Sequence, residues 1–458
     1  MAVRANISAP RGDLGTLSKV ITDAAARFSV PGIAVAIISG NDELTATTGV
    51  TSVEDPLPVD ADTLFRVASI TKPITGTALM KLAELGRFDF DAPLRSYLPD
   101  LRLADEDVAS HVTMRHVVTH RVGLFSRTKN FGRGDDALAR WTAHLVDFPQ
   151  RARLGELFCY SGDFQLTGRV LEAVTGKTYE DAMNELVLEP LGMTRSCFFA
   201  TDAMTHRVAA GHEVKEGRAQ VARPWVEMRS GHPSGGLLST INDLIRFMRL
   251  HLGGEGAERE GRLLSNESIA FMASAMSPDG THGVTWWRHE LNGLPVIEHC
   301  GGYPGFLAQL VLVPARRFGI AVLSNITRTG YQHRVPEINT VSGEIVAWAF
   351  DAFLDLRVPA DAPLTLAPRQ LTEYAGRYEG ELGEVDVSVG DGCLIATEHR
   401  SDPRLPAPDP YRLAFYDADK VFRLDGPGKD TRGQFVRDAR GDAVWFRPYV
   451  SDIYRRAR

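Results

Sequence analysis

A serine and a lysine three positions apart are the first residues in this 458-residue sequence whose types and spacing suggest chemistry. Ser69 and Lys72 follow a short extended segment, Leu64 to Val67, and begin a run with helical spacing that ends near Gly86. Residues three apart share one face of a helix, so the lysine amine would lie one turn from the serine hydroxyl. A desolvated lysine can take the proton of a serine and make it a nucleophile. The Ser69 amide, near a helix N-terminus, would point at a developing oxyanion.

The spacing alone is weak evidence, because a serine three residues before a lysine occurs by chance about once in a chain of this length. The sequence contains a second such pair, Ser126 and Lys129, in a polar loop without a strand or helix to hold it. The alternative for Ser69 is a helix start followed by a solvated lysine.

Two segments further along the chain also contain residue types that are common in catalytic sites. Tyr160-Ser161-Gly162 precedes a helical pattern. Much further along, His299 leaves an apolar strand and is followed by Cys300 and a glycine-rich stretch that includes Gly301 and Gly302. This stretch offers an imidazole, unhindered backbone amides and glycines that permit a substrate to approach closely.

Taken together, the three segments resemble the motifs of the serine β-lactamase and penicillin-recognising superfamily. The nearest branch holds class C β-lactamases, D-aminopeptidases, DD-carboxypeptidases and related esterases, which use S-x-x-K, then Y-x-N, then K-T-G or H-x-G. The resemblance extends over about residues 13–355 and includes four connecting sequences: Val112 to His120, Glu189 to Met193, Gly235 to Asp243, and Val322 to Asn325. The C-terminal part is more weakly similar to the lipocalin-like β-barrel that follows some of these hydrolases.

The resemblance implies a role for each matching residue. Ser69 would be the acylated nucleophile and Lys72 its partner. Tyr160 would carry the proton between Ser69 and the leaving group, and His299 stands where many relatives have lysine. The amide of Gly302 would join that of Ser69 in an oxyanion hole. No metal ion and no organic cofactor is implied.

One position departs from the family pattern. Gly162 stands where the tyrosine motif usually has asparagine, whose amide helps to hold the lysine and the substrate carbonyl. Asp163 or Gln165 could replace that amide, or the site could be looser and favour esters, or the protein could have lost hydrolysis. We expect Gly162, Asp163 and Gly301 to contact the substrate. A neutral imidazole at position 299 would attract a penicillin-type carboxylate less than an ammonium group does.

The elements that must position these residues can be predicted from hydrophobic patterning. A helix from Asp13 to Phe28 is followed by a buried strand, Ile33 to Ile38, and a hairpin partner. Three more strands lie between residues 296 and 323, and a helical pattern follows from 343 to 356. We predict an α/β fold, in which an antiparallel sheet built from both chain ends is flanked by helices and carries a helical lobe, formed by the helix-rich stretch over roughly residues 66–280.

The composition changes after residue 357. We predict a β-lactamase-like hydrolase domain over residues 1–357, a proline-rich linker over 358–368 and a lipocalin-like β-barrel domain over 369–458, without helices. The barrel contains no nucleophile and base at a recognisable spacing. We therefore expect it to shape the substrate pocket; the alternative is an independent stabilising or dimerising appendage.

Charge and composition limit the partners. The net charge of −7 argues against nucleic-acid binding. The N-terminal residues have no apolar segment of signal-peptide length, and no segment is long enough to span a membrane, so we expect a cytoplasmic protein. The four cysteines are widely spaced and typical of reduced thiols. His116 and His120 have i, i+4 spacing on a helical face, but no third metal ligand is near.

The sequence thus predicts a cytosolic serine hydrolase that acts on small esters, amides or short D-amino-acid peptides. Two alternatives stay open. An acyltransferase or peptide cyclase would use the same acyl-serine, and a binding protein of the same fold would have lost catalysis. The partner is a small-molecule or short-peptide acyl substrate, and homo-oligomerisation is left open.

Overall fold

The computed structural model of the chain describes residues 12–125, 129–253, 263–327, 340–358, 362–401, 409–426, 428–449 and 452–457. Ser126, the serine of the second serine–lysine pair, lies outside the described residues.

The first 354 residues contain both strands and helices. The strands are β1 (Gly32–Ser39), β2 (Asp42–Gly49), β3 (Phe65–Arg66), β4 (His212–Lys215), β5 (Arg218–Val221), β6 (Leu238–Ser239), β7 (Trp287–Leu291), β8 (Leu294–Tyr303), β9 (Phe306–Val313), β10 (Phe318–Ser324) and β11 (Ile326–Thr327). The helices are α1 (Leu14–Phe28), α2 (Thr71–Glu84), α3 (Glu106–His111), α4 (Met114–Val118), α5 (Ala137–Ala143), α6 (Leu166–Thr175), α7 (Tyr179–Met183), α8 (Glu189–Leu191), α9 (Ala200–Ala203), α10 (His232–Gly235), α11 (Ile241–Leu252), α12 (Asn266–Ala273) and α13 (Val341–Leu354).

The main sheet has six antiparallel strands in the order β2-β1-β10-β9-β8-β7. The N-terminal strand β1 pairs with β10, more than 270 residues later, with Ile33 opposite Ser324 and Ser39 opposite Phe318. The prediction of one antiparallel sheet built from both chain ends is confirmed.

The sheet is covered on both faces, which explains why β1 is a continuous apolar run. Alternate residues of a strand point to opposite faces. Ile33, Val35 and Ile37 join a core with α1 and α13, whereas Ala34, Ala36 and Ile38 join the larger core that contains α2, α11 and the helical lobe.

Eight strands at the C-terminal end form a closed barrel in chain order. They are β12 (Gly376–Gly380), β13 (Gly383–Gly390), β14 (Cys393–Arg400), β15 (Tyr411–Asp417), β16 (Lys420–Arg423), β17 (Arg432–Arg437), β18 (Ala443–Tyr449) and β19 (Asp452–Arg456). Pairing of β12 with β19 closes the barrel, with Tyr378 opposite Arg456. The prediction of a C-terminal barrel is confirmed, while the exact residue at which its domain begins stays a prediction.

The expectation of a C-terminal region without helices was wrong. A short helix, α14 (Pro368–Thr372), precedes the barrel. Proline fits the first turn of a helix, and the Gln370 side chain accepts a hydrogen bond from the Ala367 amide at 2.9 Å. Five residues are too few to show helical periodicity in the sequence, which is why the pattern missed this helix.

The barrel packs directly against the rest of the protein. Trp445 and Ile453 of the barrel form a small apolar cluster with Ala152, Leu157 and Cys159. Within the described ranges, no helix has the combination of length and apolarity that crossing a bilayer requires.

Candidate active site

Ser69 lies in a single 3₁₀ turn, Ala68–Ile70, between β3 and α2. Ala68 has a φ of 48°, in the left-handed region that L residues rarely adopt, so the chain turns sharply just before the serine. The Thr71 hydroxyl holds this turn by donating to the Ala68 carbonyl at 2.6 Å and accepting from the Leu237 amide at 3.2 Å. The serine is therefore presented on a strained turn that its neighbours fix in place.

Lys72 reaches Ser69 across one helical turn, as the spacing predicts. Its Nζ lies 3.0 Å from Ser69 Oγ and donates to the backbone carbonyl of Ser234 at 2.8 Å. The side chain is buried, and this loss of hydration lowers the pKa of Lys72 to about 7. A large fraction of the lysine is therefore neutral near physiological pH and able to accept a proton.

Tyr160 approaches Ser69 from the other side. Its hydroxyl donates to Ser69 Oγ at 2.9 Å, and burial raises the pKa of Tyr160 well above its ordinary value. The phenol therefore keeps its proton at neutral pH. Ser69 Oγ therefore accepts hydrogen bonds from both Tyr160 and Lys72.

The glycines after His299 allow β8 to pass close to the serine turn. A Cβ added to Gly301 would lie 2.2 Å from the carbonyl oxygen of Val67, a distance that real Cβ atoms do not show. Gly302 follows on the wall of the same cavity as Ser69. A glycine at position 301 is thus required by the approach of two backbones.

His299 is only 1 % exposed and is not on the cavity surface. Its Nδ1 donates to the Cys300 carbonyl at 2.7 Å, so that Nε2 is the nitrogen with the lone pair in the neutral ring.

Three residues that follow Tyr160 were predicted to contact the substrate or to replace the missing asparagine amide, and they lie in different surroundings. Gly162 lies on the cavity wall. Asp163 is buried beside the cavity; Ser161 donates to its Oδ1, and Oδ2 has no hydrogen-bond partner among the described residues. Burial raises the pKa of Asp163 to about 7. Gln165 lines the cavity, and its Nε2 donates to Ser234 Oγ at 2.7 Å.

Ser234 is the site residue that the sequence analysis missed. It lies in α10, and its carbonyl and hydroxyl connect Lys72 to Gln165. Gln165, one of the two suggested replacements for the missing asparagine amide, thus supports the lysine through Ser234. The connecting sequence that begins at Gly235 starts one residue too late to have included it.

A cavity of about 440 Å³ lies between the helical lobe, the end of β8 and the barrel. Seven of the residues described above line it: Ser69, Lys72, Tyr160, Gly162, Gln165, Ser234 and Gly302. The barrel contributes Glu381 and Leu382 to its wall, from the turn between β12 and β13. This placement is what we expect if the barrel shapes the pocket.

The idea of a helical histidine pair was wrong. Helix α4 ends at Val118, and His120 has a φ of 56°, so the two imidazoles do not share a helical face. The ring of His120 instead packs against that of Tyr160, with 4.5 Å between the two ring centroids. In the described part of the chain, no three histidine, cysteine or acidic side chains are grouped so that they could hold a metal ion.

The cysteines near the site are buried, as expected for small apolar residues. Cys159 and Cys300, which flank Tyr160 and His299, are both free thiols. Burial raises the pKa of Cys159 to about 12, which keeps it protonated and unreactive.

The Beta-lactamase family profile matches residues 17–339. The chain is 31% identical over 310 residues to Penicillin-binding protein 4 of Amycolatopsis lactamdurans, a match that covers 65% of this chain and 81% of that protein.

Two solved structures are similar over nearly the whole chain. The crystal structure of SurE covers 97% of this chain and 99% of its own, with a TM-score of 0.73 and 23% identity, and SurE has also been solved with D-Leu. The octameric penicillin-binding protein homologue from Pyrococcus abyssi covers 97% and 100%, with a TM-score of 0.63 and 24% identity. At these identities the likeness shows a shared fold, which extends through the C-terminal barrel.

Proposed function

The chain belongs to the Beta-lactamase family, and from this premise we propose that it is a serine hydrolase that forms an acyl-enzyme on Ser69. One observation carries the proposal. Ser69 Oγ lies within hydrogen-bond distance of both the Lys72 amine and the Tyr160 hydroxyl, on the wall of a cavity large enough for a small acyl compound or a short peptide.

In the first step, neutral Lys72 accepts the proton of Ser69 while Oγ attacks the substrate carbonyl carbon. The amides of Ser69 and Gly302 stabilise the oxyanion of the tetrahedral intermediate. When the intermediate collapses, the proton passes through the Tyr160 hydroxyl to the leaving group, which departs as an alcohol or an amine.

Deacylation reverses these proton transfers. Water attacks the acyl carbon and gives one proton to neutral Lys72. When the intermediate collapses, that proton passes through the Tyr160 hydroxyl to Ser69 Oγ, and a carboxylic acid and free Ser69 are released. The Ser234 carbonyl accepts a hydrogen bond from Lys72 and holds the amine near Ser69 through both steps. Gln165 holds Ser234 in turn, which offsets the absence of an asparagine at position 162.

We propose small esters, amides or short D-amino-acid peptides as substrates. The cavity size and the fold shared with a protein solved with D-Leu support this class. An amine in place of water would make the same acyl-serine an acyltransferase or peptide cyclase. The close packing of Ser69, Lys72 and Tyr160 argues against a binding protein that has lost catalysis.

Intact-mass measurement tests the proposal. Wild-type protein is incubated with p-nitrophenyl acetate, an N-acyl-D-alanyl-D-alanine and a β-lactam, and the site of any added acyl mass is located by peptide mapping. We expect acylation at Ser69 that Ser69→Ala abolishes. Ser161→Ala, which alters another serine of the cavity wall, serves as the matched control and should still be labelled. Labelling that survives in Ser69→Ala contradicts the proposal.

The fate of the acyl group separates hydrolysis from transfer. With D-leucine added in excess, a hydrolase releases the free acid, whereas an acyltransferase yields the N-acyl-D-leucine. Cytoplasmic location and self-association stay predictions for this chain, which cell fractionation and its mass in solution would test.

A further inference from the structure

A buried histidine and glutamate lie at the start of α10, the helix whose Ser234 carbonyl accepts from Lys72. Glu180 of α7 is 5 % exposed, and His232, the first residue of α10, is 2 % exposed. The imidazole Nδ1 lies 2.6 Å from Glu180 Oε1, and it is the donor because an ionised carboxylate can only accept. One hydrogen bond thus ties the beginning of α10 to α7.

The carboxylate of Glu180 is a permanent acceptor. Burial favours its neutral form, but hydrogen bonds from His232 and Arg229 lower the pKa of Glu180 to about 2. Arg229 donates from Nε to Oε1 at 3.2 Å and from Nη2 to Oε2 at 3.0 Å, and it also donates to Asp135. The acceptor of His232 is therefore charged at physiological pH and is itself held by a cation.

The ring of His232 is enclosed by apolar groups. It stacks on Phe198 at 5.6 Å and meets the edge of Phe199 at 5.3 Å, measured between ring centroids. A Cβ added to Gly236 would lie 2.5 Å from its Cδ2. Its Nε2 is buried and has no hydrogen-bond partner among the described residues. The polar function of this side chain is therefore the single bond from Nδ1, and not a contact with substrate.

Helix α10 presents two successive backbone carbonyls to α2. The Pro233 carbonyl accepts from the Thr75 hydroxyl at 2.9 Å, and the Ser234 carbonyl accepts from Lys72 at 2.8 Å. Thr75 and Lys72 are three residues apart and share one face of α2. Because both carbonyls follow His232 directly in the chain, a displacement of His232 would move the acceptor of the lysine.

We propose that His232 is a positioning residue, which fixes the Ser234 carbonyl against Lys72 through its hydrogen bond to Glu180. The inference rests on the proposed function, since it concerns the base of that reaction. Gln165 holds the Ser234 side chain, whereas His232 holds the backbone that carries the carbonyl. Two separate contacts therefore set the position of one acceptor.

Loss of this bond changes Lys72 in a defined direction. A carbonyl that accepts from an amine favours its charged form. When the Ser234 carbonyl moves away, the pKa of Lys72 falls below the value of about 7 that burial gives it. The amine also loses the contact that orients it toward Ser69, so acylation slows although more of the lysine is neutral. Asp163 and Cys300 also act electrostatically on Lys72, and neither is altered in the test that follows.

Two replacements of His232 separate its hydrogen bond from its ring. His232→Asn keeps a donor, because the asparagine Nδ2 takes the place of the imidazole Nδ1, whereas His232→Leu has none. Both remove the ring from its place beside Phe198. For acetylation of Ser69 by p-nitrophenyl acetate, we expect His232→Leu to be about 10-fold slower, with the midpoint of the pH–rate profile about 0.5 pH units lower. His232→Asn should keep the wild-type midpoint and most of the rate.

Tyr411→Phe is the matched control, since it removes a hydrogen bond of 2.9 Å to another buried glutamate, Glu398, inside the barrel. It should leave the midpoint and the acylation rate unchanged at any melting temperature. A wild-type midpoint in His232→Leu overturns the positioning role, as does an equal displacement of the midpoint in His232→Asn. If His232→Leu does not fold, Glu180→Gln decides, because it weakens the same bond and should lower the midpoint by a smaller amount.

Denaturant unfolding separates a failure of this inference from a failure of the proposed function. If wild-type Ser69 is not acylated, the proposed function fails, and Lys72 is followed through stability instead. Each protein is compared with its Lys72→Met version between pH 6 and pH 10, and the pH at which the difference begins to shrink marks the pKa of the folded lysine. That pH should be lower in His232→Leu than in the wild type and His232→Asn. The same pH in all three proteins overturns the positioning role.

Discussion

Arg447, on barrel strand β18, donates a hydrogen bond of 2.7 Å to the backbone carbonyl of Phe158, two residues before Tyr160. The same guanidinium lies 4.9 Å from the centroid of the Phe158 ring. That ring stacks on His282 at 4.6 Å. The barrel therefore touches the segment that carries the proposed proton-transfer tyrosine, and its effect on the site extends beyond the wall residues Glu381 and Leu382.

Arg447→Ala should loosen the segment that positions Tyr160. A hydrogen bond from a charged donor contributes about 1.5–3 kcal/mol, so we expect a lower melting temperature and acylation of Ser69 slowed about 5- to 20-fold. Thermal unfolding and labelling kinetics measure both. Arg455→Ala is the control, since Arg455 stacks on Trp445 within the barrel at 5.3 Å. Equal effects of the two variants would contradict a specific role for the contact with Phe158.

Acylation should depend on the protonation of Lys72. The amine must be neutral to accept the serine proton, and its pKa is about 7, so the acylation rate should rise with pH around a midpoint near 7 and level off above it. Lys72→Arg stays charged throughout and should show no acylation. A pH–rate profile of acetylation by p-nitrophenyl acetate measures the midpoint; a rate independent of pH between 6 and 8 would exclude Lys72 as the base.

The same depressed pKa makes the stability of the protein depend on pH. The unfolded chain binds the Lys72 proton up to its ordinary pKa of 10.5, whereas the folded protein releases it near 7. Lys72 therefore destabilises the folded state most below pH 7, and this cost disappears as the pH rises toward 10.5. Lys72→Met should be more stable than the wild type at pH 6, and the difference should shrink by pH 10. Denaturant unfolding at the two pH values tests the sign.

Gln165 should act on turnover through Ser234 and Lys72. Gln165→Leu removes the donor to Ser234 Oγ, and we expect kcat for ester hydrolysis to fall about 10-fold with little change in KM. Gln165→Glu would place a negative charge near the lysine and raise its pKa, which moves the midpoint of the pH–rate profile upward. A general loss of folding would lower the active fraction of both variants without moving that midpoint.

Gly301→Ala should push β8 away from the serine turn. The new Cβ would lie 2.2 Å from the Val67 carbonyl oxygen, and both partners are backbone, so the clash cannot be relieved by a side-chain rotation. We expect a loss of stability of about 1–3 kcal/mol and strongly reduced labelling of Ser69. Gly235→Ala, whose Cβ would meet nothing closer than 3.7 Å, should unfold at the wild-type temperature. Similar melting temperatures for Gly301→Ala and wild type would be inconsistent with this packing.

Leu382 should influence which substrates are preferred. It lies on the barrel's part of the cavity wall. Leu382→Ala should change the relative kcat/KM of large and small acyl esters several-fold, with normal labelling by a small fluorophosphonate. An unchanged substrate ranking would favour the alternative in which the barrel is a stabilising appendage.

Much of the architecture follows from local sequence patterns. The continuous apolar run from Ile33 to Ile38 predicted a buried strand, which is present as β1. The spacing of Ser69 and Lys72 predicted that their side chains lie one helical turn apart, because the geometry of a helix fixes the positions of residues three apart. The two later motifs were needed to favour a catalytic pair over a solvated lysine. Where a local pattern was too short, as at α14, or ended early, as at His120, the prediction was wrong.

The environment of the site depends on contacts that no local spacing encodes. Ser234 reaches Lys72 from 162 residues away, and Trp225 lies beside Arg66, because helices and loops of the lobe fold back onto the serine turn. Leu382 joins the cavity wall only because the barrel docks against the lobe. Sequence periodicity reports which face of an element is buried, but not which distant element covers it. Packing of the whole chain therefore decided the pKa of Lys72 and the walls of the cavity, since both depend on what excludes water from those side chains.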